Sequence, residues 1–444
     1  MKQDRERRTI IIANTAEAFS KPLSRAGNTP KGKQRINHEL ALSQRAFFWE
    51  SDNKAIVTPY KIPNLLFQTN MSSLSYRNVD NLFPKIADIN LCQMIMKDKK
   101  LWTRLIGLIK QNPYTRLTPY AVTPDFITLV KELKKENVDF EVWENEDTSN
   151  IVEYLDSKIG FREVLATQIK IPKGFVCKSS EEVFNKVNWF LSKNKSCVIK
   201  ANVGESGWGM LIIDKAKFKD NKKLIPYIKQ EFANDNIWQD ELFVVEEYLI
   251  VDMKIGGGSL STEVFVSDED LEITYSCEQI LSKTGEFLGI GVGKSGFSKQ
   301  IQIKLEDIAM KVGQKYRDLG YRGFFDLDFV ITEDRTIYAV ETNTRRTGGT
   351  HVYDLGRRIF KGSVSNWGYL ISEDSFRYSS KQNILSDEKI INTVEDLLFP
   401  IKEKNNGIVI TLINNVDPIL GYIVVADSRK QAVSLQKKFR DRWK

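Results

Sequence analysis

The stretch GFFDLDFVITEDRTIYAVETNTRRTGGTH occupies Gly323 to His351. Two apolar runs flank a short polar turn, and the tail from Thr342 to Thr350 holds no apolar residue. Side chains two apart on a strand face the same way. Asp326 and Asp328 therefore share one face of the first run, and Glu341 and Asn343 one face of the second. With Asp334 and Arg335 at the turn, the numbers of cross-strand partners add to a constant. That register sets Asp328 opposite Glu341 and Asp326 opposite Asn343, with Phe325, Leu327, Phe329 and Ile331 on the other side. Carboxylates crowded into one patch repel unless a cation lies between them. A few hard oxygens, completed by water and phosphate, suit magnesium.

Acidic residues alternating with apolar ones are, by themselves, the mark of a half-solvated strand. The tail argues for more. Arg345 and Arg346 are planar, permanently charged donors suited to phosphate or carboxylate. Gly348 and Gly349 would let backbone amides approach a ligand closely. Cation ligands beside anion-binding donors describe a nucleotide-phosphate site.

The chain has 444 residues, enough for roughly two to four domains. It is 41% hydrophobic and 28% charged, with a net charge of +7 spread along its length. That charge fits anionic small molecules and does not call for nucleic acid. Cys92, Cys177, Cys197 and Cys277 stand far apart, which argues against a zinc site or a disulfide framework and suits a reducing cytoplasm. The opening residues do not read as a signal peptide. No run approaches the roughly 20 apolar residues of a membrane helix. His38 and His351 are the two histidines, so mechanisms built on a triad histidine have few candidates.

Upstream, RTIIIAN (8–14), KAIVTPY and TRLTPYAVT read as strands, LCQMIMKDKKLWTRLIGLIKQN (91–112) as mostly helical, and PDFITLVKELKKENVDFEVWE as a helix followed by a strand. This alternation predicts an α/β layer on parallel strands, ending in the polar run NEDTSN (145–150). Ser179 and Glu182 form a capping box ahead of a helix. CVIKANVGESGWGMLIID then reads as two strands around a glycine-rich turn, with Lys200 inside an otherwise apolar strand. A strand lysine just before a glycine flap can reach phosphates that the flap covers. ELFVVEEYLIV (241–251) reads as a strand interrupted by Glu246 and Glu247, either an edge strand that pairs with an adenine ring or a two-sided strand with outward glutamates. GGGSLS (256–261) reads as a mobile loop, and three antiparallel strands and an amphipathic helix follow before the opening hairpin.

In this order the pieces resemble the ATP-grasp superfamily over about 200 residues. The series runs from LDSKIGFREVL through Lys200 and GESGWG, then VVEEYL, to Asp328 and ETN (341–343). The resemblance implies a fold of mixed α/β and α+β type. A Rossmann-like pre-ATP-grasp α/β domain spans 1–150, a nucleotide-clamping subdomain 151–245, a metal-binding catalytic subdomain 246–372, and a small C-terminal α+β domain 373–444. It implies that ATP lies between the lobes, with Lys158 and Lys200 on its phosphates. The loop Gly204, Glu205, Ser206, Gly207 and Gly209 would close over them, and Glu246, Glu247, Tyr248 and Leu249 would hold the adenine. Asp328, Glu341 and Asn343 would bind two Mg2+ ions, with Mn2+ an admissible substitute, and Arg345 or Arg346 would stabilise the transferred phosphoryl group.

NTRRTGGTH, STEVFVS and YSCEQIL are similar to peptide and amino-acid ligases of the pheganomycin-ligase type. The implied activity is ATP-dependent coupling of a small-molecule carboxylate to an amine, such as amino acids or short peptides, through an acyl phosphate. Phosphorylation of a hydroxyl and a non-catalytic nucleotide-binding role are the alternatives. Neither a nucleic acid nor a membrane is expected as partner, and homo-oligomerisation stays open. The relatives' ribose-binding carboxylate has one counterpart after the hinge, Asp252.

Overall fold

The computed structural model describes residues 7–27, 29–112, 114–204, 208–218, 221–239, 242–282, 285, 287–294, 296–379 and 383–444. The β-branched run at Arg8–Ile12 (β1) is buried along its whole length, as expected of a parallel strand covered on both faces. It pairs in parallel with Lys54–Val57 (β2) and Thr115–Pro119 (β4), and β2 pairs with Val79–Leu82 (β3). The sheet order is β3-β2-β1-β4. The strand expected after the helix Pro124–Lys135 shrinks to a single bridge, Arg116 to Glu141. The helical stretch 91–112 is two helices, broken where Asp98 caps the second through the amides of Lys100 and Leu101.

A second sheet, in the order β5-β8-β6-β7, is built from Gly174–Cys177 (β5), Cys197–Ala201 (β6), Met210–Ile213 (β7) and Phe243–Glu247 (β8). The helices Ser180–Ser192 and Asn221–Asn234 contribute to its own core of Val183, Val187, Phe190, Leu224 and Ile228. The cap forms with its return bond shifted by one residue: Ser179 Oγ accepts from the Glu182 amide, and Glu182 accepts from the amide of Lys178, just before the cap.

The third sheet is antiparallel, eight strands in the order β13-β12-β9-β10-β11-β14-β16-β15. Its members are Ser259–Val266 (β9), Leu271–Leu281 (β10), Phe287–Gly293 (β11), Gly323–Ile331 (β12), Ile337–Asn343 (β13), Tyr369–Arg377 (β14), Gly407–Ile413 (β15) and Ile419–Ala426 (β16). The C-terminal strands extend this same sheet, because β11 pairs with β14. Phe325, Leu327, Phe329 and Ile331 point into a core shared with Ile10, Leu117 and Phe126 of the parallel layer. Full burial of each such side chain contributes about 1.5–3 kcal/mol. The clamp sheet has a separate core, while the other two sheets are packed together.

One expectation fails here. GGGSLS is not a mobile loop. Gly256–Gly258 forms a tight turn with three positive φ values, and β9 begins at once with Ser259 and Ser261 buried. The glycines supply a backbone conformation that other residues rarely adopt, and the chain enters the middle of the large sheet.

Candidate active site

The register read from the hairpin is the register observed: Asp326 faces Asn343 and Asp328 faces Glu341. Near the turn the pairing is one residue different, with Phe329 opposite Ala339 and Ile331 opposite Ile337. The turn holds Glu333, Asp334 and Arg335, with Arg335 at φ +64 and its amide bonded to Thr332 O. A bulge at Val340 then restores the expected pairing. The Lys200 ammonium donates to the Val340 carbonyl at 3.4 Å.

Asp328, Glu341 and Asn343 meet on the face opposite the core. Asp328 accepts from Gln279 Nε2 at 2.7 Å and from Asn343 Nδ2 at 3.3 Å. Burial pushes the Asp328 carboxyl well up, and the neighbouring Asp326 and Glu341 push it further. Two carboxylates and an amide oxygen are the hard donor set that magnesium takes when water and phosphate complete the shell. Among the described residues no group of three or more His, Cys, Asp or Glu is arranged to hold a metal. Asp326 stands behind the patch, 4% exposed, accepting from Ser261 Oγ and from Thr347 Oγ1. It braces the loop that follows β13.

Lys158 opens the helix Lys158–Leu165, whose first turn is capped by Ser157. Its ammonium lies 2.6 Å from Glu341 and 3.1 Å from the Gly204 carbonyl. Lys200 lies 2.6 Å from Glu246. Burial alone would lower the Lys200 pKa, but Glu246 and Glu341 outweigh it and the net shift is upward. Lys158 from its helix and Lys200 from the clamp sheet therefore both reach the strand that carries Glu341. At Gly204 an added Cβ would stand 2.3 Å from the Trp208 carbonyl, and Gly209 has φ +81. Glu205, Ser206 and Gly207 lie outside the described residues.

The hinge differs from both readings of its sequence. β8 is a central strand between β5 and β6, so its backbone is spent on sheet pairing. Glu246 is 5% exposed and sits between Arg162, at 2.7 Å, and Lys200. Glu247 pairs with Lys195 at 2.9 Å. The pairing ends with the Tyr248 amide on the Ser196 carbonyl, and there the chain leaves the sheet, with Tyr248 45% exposed and Leu249 partly buried. Asp252 is engaged in its own turn, accepting from the Lys254 amide.

The polar residues of the loop after β13 are pinned from several parts of the chain. Thr344 and Arg345 bond Asp156, and Arg345 also reaches Asn343 Oδ1 at 3.1 Å. Arg346 turns the other way. It is 1% exposed, 2.8 Å from Glu50, and stacked 4.0 Å from the Phe324 ring. Glu50 also holds Arg116 at 2.5 Å. Thr350 donates to Glu263, whose carboxyl burial raises to about 7. Of the two arginines, the structure brings Arg345 to the patch and buries Arg346 beneath it. The glycines serve packing: an added Cβ would strike the Tyr275 hydroxyl at Gly349 and the Phe287 ring at Gly348. His351 is fully buried beside Asp374, with its pKa lowered by that burial.

Asp156, Arg162, Glu263 and Gln279 were not singled out in the sequence. Glu263 carried a signal, as an acidic residue amid the apolar residues of a strand; the others did not.

The parallel layer, the clamp sheet and the large antiparallel sheet together have the fold seen in ATP-grasp enzymes of known structure. Biotin carboxylase from Campylobacter jejuni superposes with a TM-score of 0.56 at 13% identity, covering 98% of this chain and 91% of that one. In sequence the chain is similar to L-propargylglycine–L-glutamate ligase of Streptantibioticus cattleyicolor, 24% identical over 234 residues, 49% of this chain and 46% of the relative. It is also similar to D-alanine–D-alanine ligase of Phocaeicola vulgatus, 26% identical over 191 residues, 42% of this chain and 51% of the relative. The chain thus spans about half the length of the curated relatives it matches. No protein-family model matches it.

Proposed function

We propose that this protein is an ATP-dependent ligase that joins a carboxylate to an amine, with amino acids or short peptides as substrates. The observation that carries the reading is the approach of Lys158 and Lys200 to the hairpin that holds Asp328, Glu341 and Asn343 together. Both curated relatives are named as ligases of amino acids.

A carboxylate is a poor electrophile for an amine. Transfer of the terminal phosphoryl group of ATP to it gives an acyl phosphate, and attack by the amine then releases phosphate. Lys158 and Lys200 would hold the phosphates, and the flap from Gly204 to Gly209 would cover them and exclude water. Backbone beyond Glu247, at Tyr248 and Leu249, would hold the adenine. Asp328, Glu341 and Asn343 would hold one or two magnesium ions, which neutralise charge on the phosphoryl group. Arg345, positioned by Asp156 and Asn343, would meet the charge that develops on the transferring group. The separate core of the clamp sheet makes it the lobe able to move as a unit.

The test is phosphate release from ATP and magnesium across a pool of amino acids and short peptides, with mass spectrometry of the products. An amide product with free phosphate supports the ligase. A stable phosphomonoester would make the protein a kinase, and ATP binding without turnover would favour a nucleotide-binding role. In Glu341→Ala turnover is expected to vanish while the circular dichroism spectrum stays that of the parent. Normal turnover in that variant would remove the assignment of the acidic patch.

A further inference from the structure

A cleft of about 640 Å³ lies away from the lysines and the acidic patch, where the parallel layer, the helix Thr350–Ile359 and the C-terminal part of the chain meet. Its volume falls within the roughly 300–1,000 Å³ of small-molecule sites. Asp354 and Arg357 line it from one helix, a turn apart, and Glu50, Ser51 and Ser75 line it from the parallel layer.

The charges in this cleft are unevenly used. Arg358 is engaged with the Leu74 and Ser75 carbonyls and with Asp52. Arg357 is exposed, its guanidinium 5.7 Å from the Tyr353 ring, and among the described residues no carboxylate stands within ion-pair distance of it. Asp354 accepts from the Glu50 amide at 3.1 Å. Burial, and after it the neighbouring Glu50, raise its carboxyl to about 6 although Arg346 and Arg357 act against them, and no arginine or lysine stands within ion-pair distance of it among the described residues. An acid and an arginine one helical turn apart match a ligand that carries an ammonium and a carboxylate on adjoining atoms.

The cleft is also tied to the loop after β13. Glu50 has φ +61, a conformation that costs a non-glycine residue free energy. It is held there from both sides. Asp354 takes its amide, and Arg346 and Arg116 take its carboxylate. Lys54, fully buried, fastens the same turn by donating to the Phe47 and Trp49 carbonyls at 2.6 Å each. One residue therefore joins a wall of the cleft to the arginine beside Arg345.

We propose that the cleft binds a zwitterionic small molecule of the amino-acid class, carboxylate on Arg357 and ammonium on Asp354, and that its occupancy positions Glu50 and, through Arg346, the catalytic loop. The binding half stands apart from the ligase reading; the regulatory half rests on it.

The test is calorimetric titration of the full chain, without ATP, with each of the standard amino acids to roughly 10 mM. N-acetyl and amide forms of any that bind are then titrated. Binding that needs both charges, weakens about tenfold or more in Arg357→Glu and in Asp354→Asn, and persists in Arg345→Ala supports the site. Arg357 is exposed, so its variant keeps the fold. No binding by any amino acid, unchanged affinity in Arg357→Glu, or loss in Arg345→Ala overturns it. Hydrogen exchange at Thr344 to Thr350 is expected to slow when the amino acid is bound, and unchanged exchange overturns the regulatory half. Amino-acid binding without phosphate release in the product assay would leave this site standing while the ligase reading failed.

Discussion

Two glutamates in this molecule each sit between two cations, and the two clusters do different work. Glu246 holds Arg162 and Lys200 on the clamp sheet, and Lys200 also reaches the bulged Val340 carbonyl of the large sheet. Glu50 holds Arg116 and Arg346 below the loop after β13, where Arg346 is sealed against Phe324 and the Tyr120 and Pro119 carbonyls. In the proposed function the first cluster would exchange one partner for a phosphate. The second fixes one part of the chain against another. The same contrast recurs between neighbours, since Arg345 turns to Asp156 and Asn343 and Arg346 turns to Glu50.

The sharpest break of this contrast is in stability. Glu50→Ala leaves Arg116 and Arg346 unpaired in the interior, and a loss of about 3–5 kcal/mol is expected in urea unfolding. A loss below about 1 kcal/mol would make that cluster incidental. Arg345→Ala should do the reverse: turnover falls by about 10²–10³, while stability falls by less than in Glu50→Ala, because its partner Asp156 keeps access to water. Equal losses of stability at the two arginines would erase the distinction.

Acid sharpens the same comparison. Burial alone would raise the Glu50 carboxyl, but Arg116 and Arg346 hold it down at about 2 from an ordinary 4.5. A depressed carboxylate contributes stability that is present above its unfolded value and lost as pH falls towards its folded one. Stability should therefore decline between about pH 4.5 and 2, and the decline should be shallower in Glu50→Gln. Asp374, held down at about 2 largely by Arg45 against its burial, adds to the same limb and remains in that variant. An unchanged acid limb in Glu50→Gln would show that the glutamate gains nothing from its partners. The smallest effect belongs to the clamp lobe, where Ser179→Ala removes a helix cap and should cost about 1 kcal/mol. It should leave the Glu50 cluster and its acid limb untouched.

Much of the site was legible because strand geometry is strict. Alternation, with the register read from the turn, placed Asp328, Glu341 and Asn343 on one face and Phe325 and Phe329 on the other. The register came out right although the turn is one residue off the simplest form, because the Val340 bulge cancels the difference. Such paired irregularities leave no mark in composition. The role of Glu246 was illegible for a related reason. Whether a strand is central or at an edge depends on pairing with residues far away in sequence, here β5 and β6. Arg345 and Arg346 are chemically identical, and only the position of Glu50, some three hundred residues earlier, separates them. The glycines of GGGSLS resembled a loop because a tight turn and a loop share the same need for positive φ.

The central claim is that a carboxylate is activated by phosphoryl transfer at the patch of Asp328, Glu341 and Asn343. It is tested most directly by supplying the carboxylate substrate identified in the product assay with heavy oxygen in both carboxyl positions, and analysing the released phosphate. One labelled oxygen is expected to pass into phosphate for each amide bond formed. Phosphate free of label, with the label instead in AMP or retained in the carboxylate, would contradict it.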